Sequence, residues 1–130
     1  MPDYKTAKVI KHDNPAAKFQ DLVFETPEPF IFIPGQFVSL QVAEGQMRAY
    51  SIAGKVNDNQ FGLLIDSTPG GPGSQFAEKL QVGNEVKYLG PAGNFKFIPE
   101  DGSEHLIFLA IGCGIAPIKA MIESALREHG

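Results

Sequence analysis

Apolar and polar residues nearly alternate in Ala7-Lys8-Val9-Ile10-Lys11 and again in Phe19-Gln20-Asp21-Leu22-Val23-Phe24-Glu25. Alternation with a period of two gives a strand one apolar and one polar face, so both segments read as half-buried antiparallel strands. His12-Asp13-Asn14-Pro15 between them is a turn cluster. Thr26-Pro27-Glu28-Pro29 is expected to be irregular, because two neighbouring prolines remove amide donors and fix φ. Pro34-Gly35 sets a tight turn into Gln36-Phe37-Val38-Ser39-Leu40-Gln41-Val42, where the apolar residues 38, 40 and 42 alternate cleanly. Ala43-Glu44-Gly45-Gln46 is hairpin material leading into Met47-Arg48-Ala49-Tyr50-Ser51-Ile52-Ala53-Gly54, a strand-like stretch with a guanidinium, a phenol and a hydroxyl among apolar neighbours. A turn at Asn57-Asp58-Asn59 precedes a strand over residues 61–65.

Gly70-Gly71-Pro72-Gly73-Ser74 is a glycine-rich turn, followed by a short helix over residues 75–80 for which Ser74 is the expected N-cap. Gly83-Asn84 turns the chain into a strand over 85–89, and Gly90-Pro91-Ala92-Gly93-Asn94 is a loop before a last short strand over 95–98. Short strands at this spacing, with Gly and Pro turns, indicate a mainly β fold: a small antiparallel barrel or sandwich. The pattern then changes. Leu106-Ile107-Phe108-Leu109-Ala110-Ile111 is continuously apolar, as a strand covered on both faces would be. Gly112-Cys113-Gly114-Ile115-Ala116-Pro117 is a sharp turn, after which Ile115, Ile118, Met121, Ile122, Ala125 and Leu126 share one helical face. A single strand–helix unit has no parallel partner strand, so the expectation is a longer protein interrupted near residue 130. The segment is expected to pack back on the strands, pair with a second copy, or be poorly ordered.

The 130 residues suffice for one domain, and 43% hydrophobic with 20% charged residues is ordinary globular composition. A net charge of −4 gives no electrostatic footprint for nucleic acid or an anionic membrane. One cysteine excludes an internal disulfide framework and a cysteine-ligated iron–sulfur cluster within these residues. With no apolar run near the ~20 residues of a membrane span and no signal-peptide pattern, a soluble cytoplasmic protein is expected.

Arg48 suits bidentate capture of a phosphate; the alternative is a rim arginine paired with one of the 15 acidic residues. Tyr50 offers a flat face for stacking, or fills the core. Ser51 would hydrogen-bond a heterocycle, or simply face solvent. Gly71, Gly73 and Ser74 before a helix form a nest of backbone groups suited to an anion, or a loop that merely needs glycine. Gly112 and Gly114 after an apolar strand repeat the device, with Pro117 where the dinucleotide fingerprint has its third glycine. Cys113 is either a thiol activated at a helix start or a small residue in a tight turn. His12, His105 and His129 show no metal-ligand spacing, and no metal is expected.

In order, Pro34-Gly35-Gln36-Phe37, Arg48-x-Tyr50-Ser51, Gly71-x-x-Ser74, Gly90-Pro91-x-Gly93-x-Phe95 and Gly112-x-Gly114-x-x-Pro117 resemble the ferredoxin–NADP reductase superfamily. The resemblance implies a six-stranded antiparallel Greek-key flavin-binding barrel over residues 1–103. It makes 104–130 the first strand–helix unit of a truncated α/β domain for NAD(P). By the same resemblance Arg48 binds the flavin pyrophosphate, Tyr50 stacks on the isoalloxazine, and Ser51 approaches flavin N5. Tyr50 and Ser51 are thus the flavin-positioning pair, with Ile52, Gly71, Gly73 and Ser74 completing the cofactor set. Gly112, Gly114 and Pro117 would face the nicotinamide nucleotide. The sequence departs at Asp66, where many members carry a basic residue.

The implied function is passage of electrons between NAD(P)H and a redox partner through bound FAD, with FMN as a variant and little turnover by this chain alone. A flavin-free barrel serving as a binding or regulatory module is the competing reading. A dimer through 104–130 is a further expectation.

Overall fold

In a computed structural model, which describes residues 3–16, 18–68, 70–93 and 115–128, the alternating segments close on themselves. Strands β1 (Lys5–Ala16), β2 (Phe19–Glu25), β3 (Phe37–Ala43), β4 (Gln46–Asn57), β5 (Gln60–Asp66) and β6 (Glu85–Ala92) form a closed barrel in the order β1-β2-β5-β4-β3-β6. Every neighbouring pair is antiparallel. β3, β4 and β5 follow one another directly and β6 returns beside β3, which is the Greek-key arrangement. Closure removes the free sheet edges that would otherwise template aggregation. Helix α1 (Pro72–Lys79) lies across one end, against β3 and β5, and α2 (Ile115–Glu128) packs on the outside of β4.

The interior is filled by the inward-facing set, with Val9, Leu22, Phe24, Val38, Leu40, Ile52, Phe61 and Leu63 wholly buried. Phe61 stacks between Phe24 and Phe30, with ring centroids 5.4 and 4.2 Å away. Phe30 comes from the double-proline segment, which is irregular as expected. The β4–β5 connection holds that segment: Thr26 N donates to Asn59 O and Phe30 N to Asp58 O, each at 2.8 Å.

Several boundaries differ from those read in the sequence. β6 runs on through Gly90, Pro91 and Ala92, read there as loop, because Ala92 still pairs with Phe37. α2 begins at Ile115, inside the turn read over 112–117. Residues 12–15 are not a turn; β1 continues to Ala16 and pairs His12 with Leu22 and Asp13 with Asp21. A register shift between Asp13 and Ala16 absorbs Pro15, the kind of irregularity where a strand tolerates a proline. α1 starts at Pro72 rather than Gln75, so the N-cap is Gly71 and Ser74 lies in the first turn. Proline at the first helical position is pre-set for helical φ and loses no hydrogen bond there. The strands expected over 95–98 and 106–111, residues 112–114 of the turn expected over 112–117, His105 and His129 lie outside the described residues.

Of the outcomes expected for the C-terminal segment, packing back on the barrel holds for the helix. Ala116, Ile118, Ala120 and Met121 are buried and α2 lies along β4. Lys119 Nζ donates to Ala53 O at 3.4 Å and pairs with Glu123 at 3.1 Å. A Cβ at Gly54 would come 2.8 Å from Glu123 Oε1 and 3.3 Å from Lys119 Nζ. Gly54→Val is therefore expected to strain β4 at this positive-φ position and displace the Lys119 and Glu123 side chains, read as faster amide exchange over 119–124 and in the adjoining part of β4 with β2 unchanged. Unaltered protection in α2 would count against this docking.

Candidate cofactor-binding site

β4 carries the site because of where its inward face emerges. Leu40 pairs with Arg48 and Val38 with Tyr50. Directly opposed residues of an antiparallel pair project to the same side, so Arg48 and Tyr50 belong to the inward set together with Ile52. Val38, Leu40 and Ile52 are sealed in the core, yet Arg48 is exposed and Tyr50 half-buried. The difference is position along the strand: β4 pairs with β5 only from Ile52 onward. Over residues 46–51 the barrel mouth opens and inward-directed side chains reach the surface.

α1 closes onto that mouth. The position a Cβ would take at Gly73 is occupied by the Tyr50 hydroxyl and lies 3.2 Å from Arg48 Cγ. Only a residue without a side chain lets α1 approach β4 this closely. At Gly71, by contrast, an added Cβ would meet nothing within 4 Å. The fold thus brings Arg48, Tyr50 and Gly73 together, with Ser74 buried beside them in the first turn of α1.

The electrostatics are those of an anion site. Arg48 Nη1 donates to Met47 O at 2.9 Å, and the ion pairs among the described residues involve other cations. The rim ion pair considered for Arg48 is therefore not formed among them. α1 has Gly71 as N-cap with no side-chain cap and no acidic residue in its first turn. Pro72 has no amide, which leaves the amides of Gly73 and Ser74 as the orphan donors of that positive helix end. The Arg48 stem passes beside Gly73, and a planar guanidinium on that stem together with the two amides matches the oxygens of a diphosphate. By this measure the residues fit the pyrophosphate of a flavin dinucleotide.

Tyr50 and Ser51 point to opposite faces of β4, with Ser51 opposite Phe37 and only partly buried. A ligand touching both must pass along the strand edge that β5 leaves unpaired. Ile52 does not join them as a side chain. It is sealed in the core, and its amide donates to Gln36 O at 3.0 Å. Pro117 is buried in the first turn of α2; Gly112 and Gly114 lie outside the described residues.

Burial pushes the Tyr50 phenol above its ordinary value, and the nearby Arg48 charge pulls partly the other way. Burial raises Tyr88 too. A proton held more tightly by the folded chain than by the unfolded one makes phenolate formation favour unfolding. This stability is complete below the unfolded tyrosine value of 10.0 and is lost as pH climbs through the raised one. Urea midpoints are expected to fall as pH rises above the ordinary tyrosine value of 10.0, and Tyr50→Phe should flatten that decline. An unchanged decline would remove Tyr50 as a contributor.

Two residues named in the sequence gain a role only in the structure. Asp66, noted only as a missing base, accepts the Thr68 amide at 2.9 Å through Oδ1. The Thr68 side chain first, and this amide second, draw the exposed Asp66 carboxyl below the ordinary range, and the amide bond starts the turn into the glycine-rich loop, as aspartate does in such turns. The Asp-Ser-Thr-Pro run carried that signal. Gln36 ties three segments at the mouth: Oε1 accepts from Ile33 N at 2.9 Å, Nε2 donates to Gly93 O at 3.3 Å, and its carbonyl holds Ile52. Among the described residues no cluster of His, Cys, Asp or Glu is placed to hold a metal, and no helix is long and apolar enough to cross a membrane.

Comparison with known proteins shows the family. The profile of the oxidoreductase FAD-binding domain family matches residues 6–97. The toluate 1,2-dioxygenase electron transfer component of Pseudomonas putida is 40% identical over 101 residues, covering 76% of this chain and 30% of its own length. Ferredoxin–NADP reductase B of Sorangium cellulosum is 33% identical over 114 residues, covering 83% of this chain and 46% of its own. Among solved structures, the Amycolatopsis cytochrome P450 reductase GcoB superposes with a TM-score of 0.87 at 28% identity, over 98% of this chain and 40% of that one. The chain thus spans less than half the length of these relatives. With the family's span covering most of the barrel and the same fold in its structural neighbours, the chain belongs to the oxidoreductase FAD-binding domain family, among the ferredoxin–NADP reductase-like proteins.

Proposed function

We propose that this chain is the flavin-binding portion of an NAD(P)H-dependent oxidoreductase that delivers electrons to a protein partner. One observation carries the reading: Arg48, its exposed guanidinium without a carboxylate partner among the described residues, packs its stem with Tyr50 around Gly73 at an uncapped helix start. Arg48 and the Gly73 and Ser74 amides hold the diphosphate, and Tyr50 sets the flavin plane at the barrel mouth. Ser51, on the outer face of β4, reaches the flavin along the open strand edge. Bound flavin supplies the exchange between a two-electron nicotinamide donor and a one-electron acceptor. Two amides and a fork-shaped cation favour FAD over FMN, whose single phosphate would use fewer of them.

The division into a barrel through residue 103 and a nucleotide-binding fragment from 104 belongs to this proposal, as do Gly112, Gly114 and Pro117 as its nicotinamide-facing loop. So do a cytoplasmic setting and a redox partner of the kind the relatives serve. The competing flavin-free module rested on Asp66, and Asp66 shapes the turn instead.

The chain mixed with FAD should emerge yellow from gel filtration. After chemical reduction it should pass two electrons per flavin to ferricyanide, while NADH alone reduces it slowly. A chain that emerges colourless at saturating FAD would overturn the proposal.

A further inference from the structure

His12 was given no role from the sequence, yet it sits at the centre of a buried hydrogen-bond chain. Its Nδ1 lies 2.6 Å from Leu80 O and its Nε2 2.7 Å from Gln20 Oε1. Leu80 O and Gln20 Oε1 are both carbonyl oxygens and can only accept, so in this arrangement both ring nitrogens donate. Gln20 is 3% exposed, on the core face of β2. Its Nε2 donates to Ser67 Oγ at 3.4 Å, and Ser67 Oγ donates to Lys18 O at 2.9 Å. Ser67 is 1% exposed, and its amide also donates to Lys18 O, at 2.7 Å.

The two ends of this chain have a shared meaning. Ser67 is where the chain leaves β5, and its carbonyl accepts from Gly70 N at 3.2 Å as the glycine-rich turn begins. Leu80 is the C-cap of α1. Everything between them, Gly71, Gly73 and Ser74 included, is one excursion fastened at both feet to β1 and β2. α1 has only 8 residues, too short to hold its place by helix propensity, and it touches the barrel mainly through β3 and β5.

We propose that His12, Gln20 and Ser67 are positioning residues for the phosphate-binding turn: they fix where the Gly73 and Ser74 amides stand relative to Arg48 without touching a ligand. This rests on the flavin reading above. Small displacements of preorganised donors cost binding out of proportion to their size, and a buried polar chain transmits the loss of any one member.

The test uses His12→Ala and Gln20→Met, the second conserving volume in case the first leaves a cavity that lowers folding yield. FAD affinity is expected to fall about tenfold while riboflavin, which lacks the phosphates, binds within about twofold of wild type. Equal loss for both ligands would mean general damage and overturn the proposal. A readout independent of flavin is amide exchange in the ligand-free chain. Residues 75–79 should exchange faster in both variants while β2 and β5 keep their protection, and unaltered exchange there would also overturn it. If wild type binds no FAD, the flavin reading fails, and the exchange result still decides whether this network holds the turn.

Discussion

Replacing Arg48 with alanine is expected to weaken FAD binding about 30- to 150-fold. That is the size of losing a charge-assisted contact of ~2–3 kcal/mol. The cofactor-free protein should barely notice. The guanidinium is exposed, and its one hydrogen bond in the described structure runs to the carbonyl of the preceding residue, Met47. Thermal midpoints of the ligand-free variant and wild type should therefore agree, and the deficit should appear only on adding FAD. Arg48→Lys keeps the charge and loses the fork, so it should fall between the two. Equal FAD affinity for Arg48→Ala and wild type would revive the flavin-free reading.

Gly73→Ala is the second large expectation, and it runs against the usual rule. Alanine in a helix normally stabilises by ~0.5–1 kcal/mol relative to glycine. Here the new methyl group must enter space held by the Tyr50 hydroxyl and the Arg48 stem. Strain of ~1–2 kcal/mol is expected, with loss of more than about tenfold in FAD affinity as α1 lifts from β4. Gly71→Ala is the control, since nothing lies within 4 Å of its new Cβ; it should cost less than about 1 kcal/mol, the scale of an N-cap preference. Combining Gly73→Ala with Tyr50→Phe removes the clashing oxygen and should restore part of the stability. Urea denaturation of the three variants beside wild type checks this, and a Gly73→Ala protein as stable as wild type would show that α1 does not depend on the contact.

Alternation made most of the barrel legible. β2, β3 and β5 appear where apolar residues recur at every second position, because a barrel wall has one dry face. Boundaries were less legible where a local signal met a tertiary one. Pro15 marked a turn by itself, but pairing with β2 carries the strand past it through a register shift. Ser74 is a good N-cap in isolation, yet Pro72 starts the helix earlier and places Ser74 inside it. The site was legible as an ordered set of motifs. What the motifs could not show is strand parity: Arg48, Tyr50 and Ile52 share one face, so the depth at which the mouth opens decides that Ile52 is core while Arg48 is surface. His12 was missed for a simpler reason. Its partners stand 8 and 68 residues away in the chain, and only barrel closure unites them.

The claim on which the rest depends is that Arg48 holds the diphosphate of FAD, and a cycle that removes each side of the contact measures it. Dissociation constants are needed for wild type and Arg48→Ala, each with FAD and with riboflavin. The expected coupling is about 2 kcal/mol or more: wild type prefers FAD strongly, and Arg48→Ala loses most of that preference while binding riboflavin as before. A coupling near zero, with the preference for FAD intact in Arg48→Ala, would contradict the account.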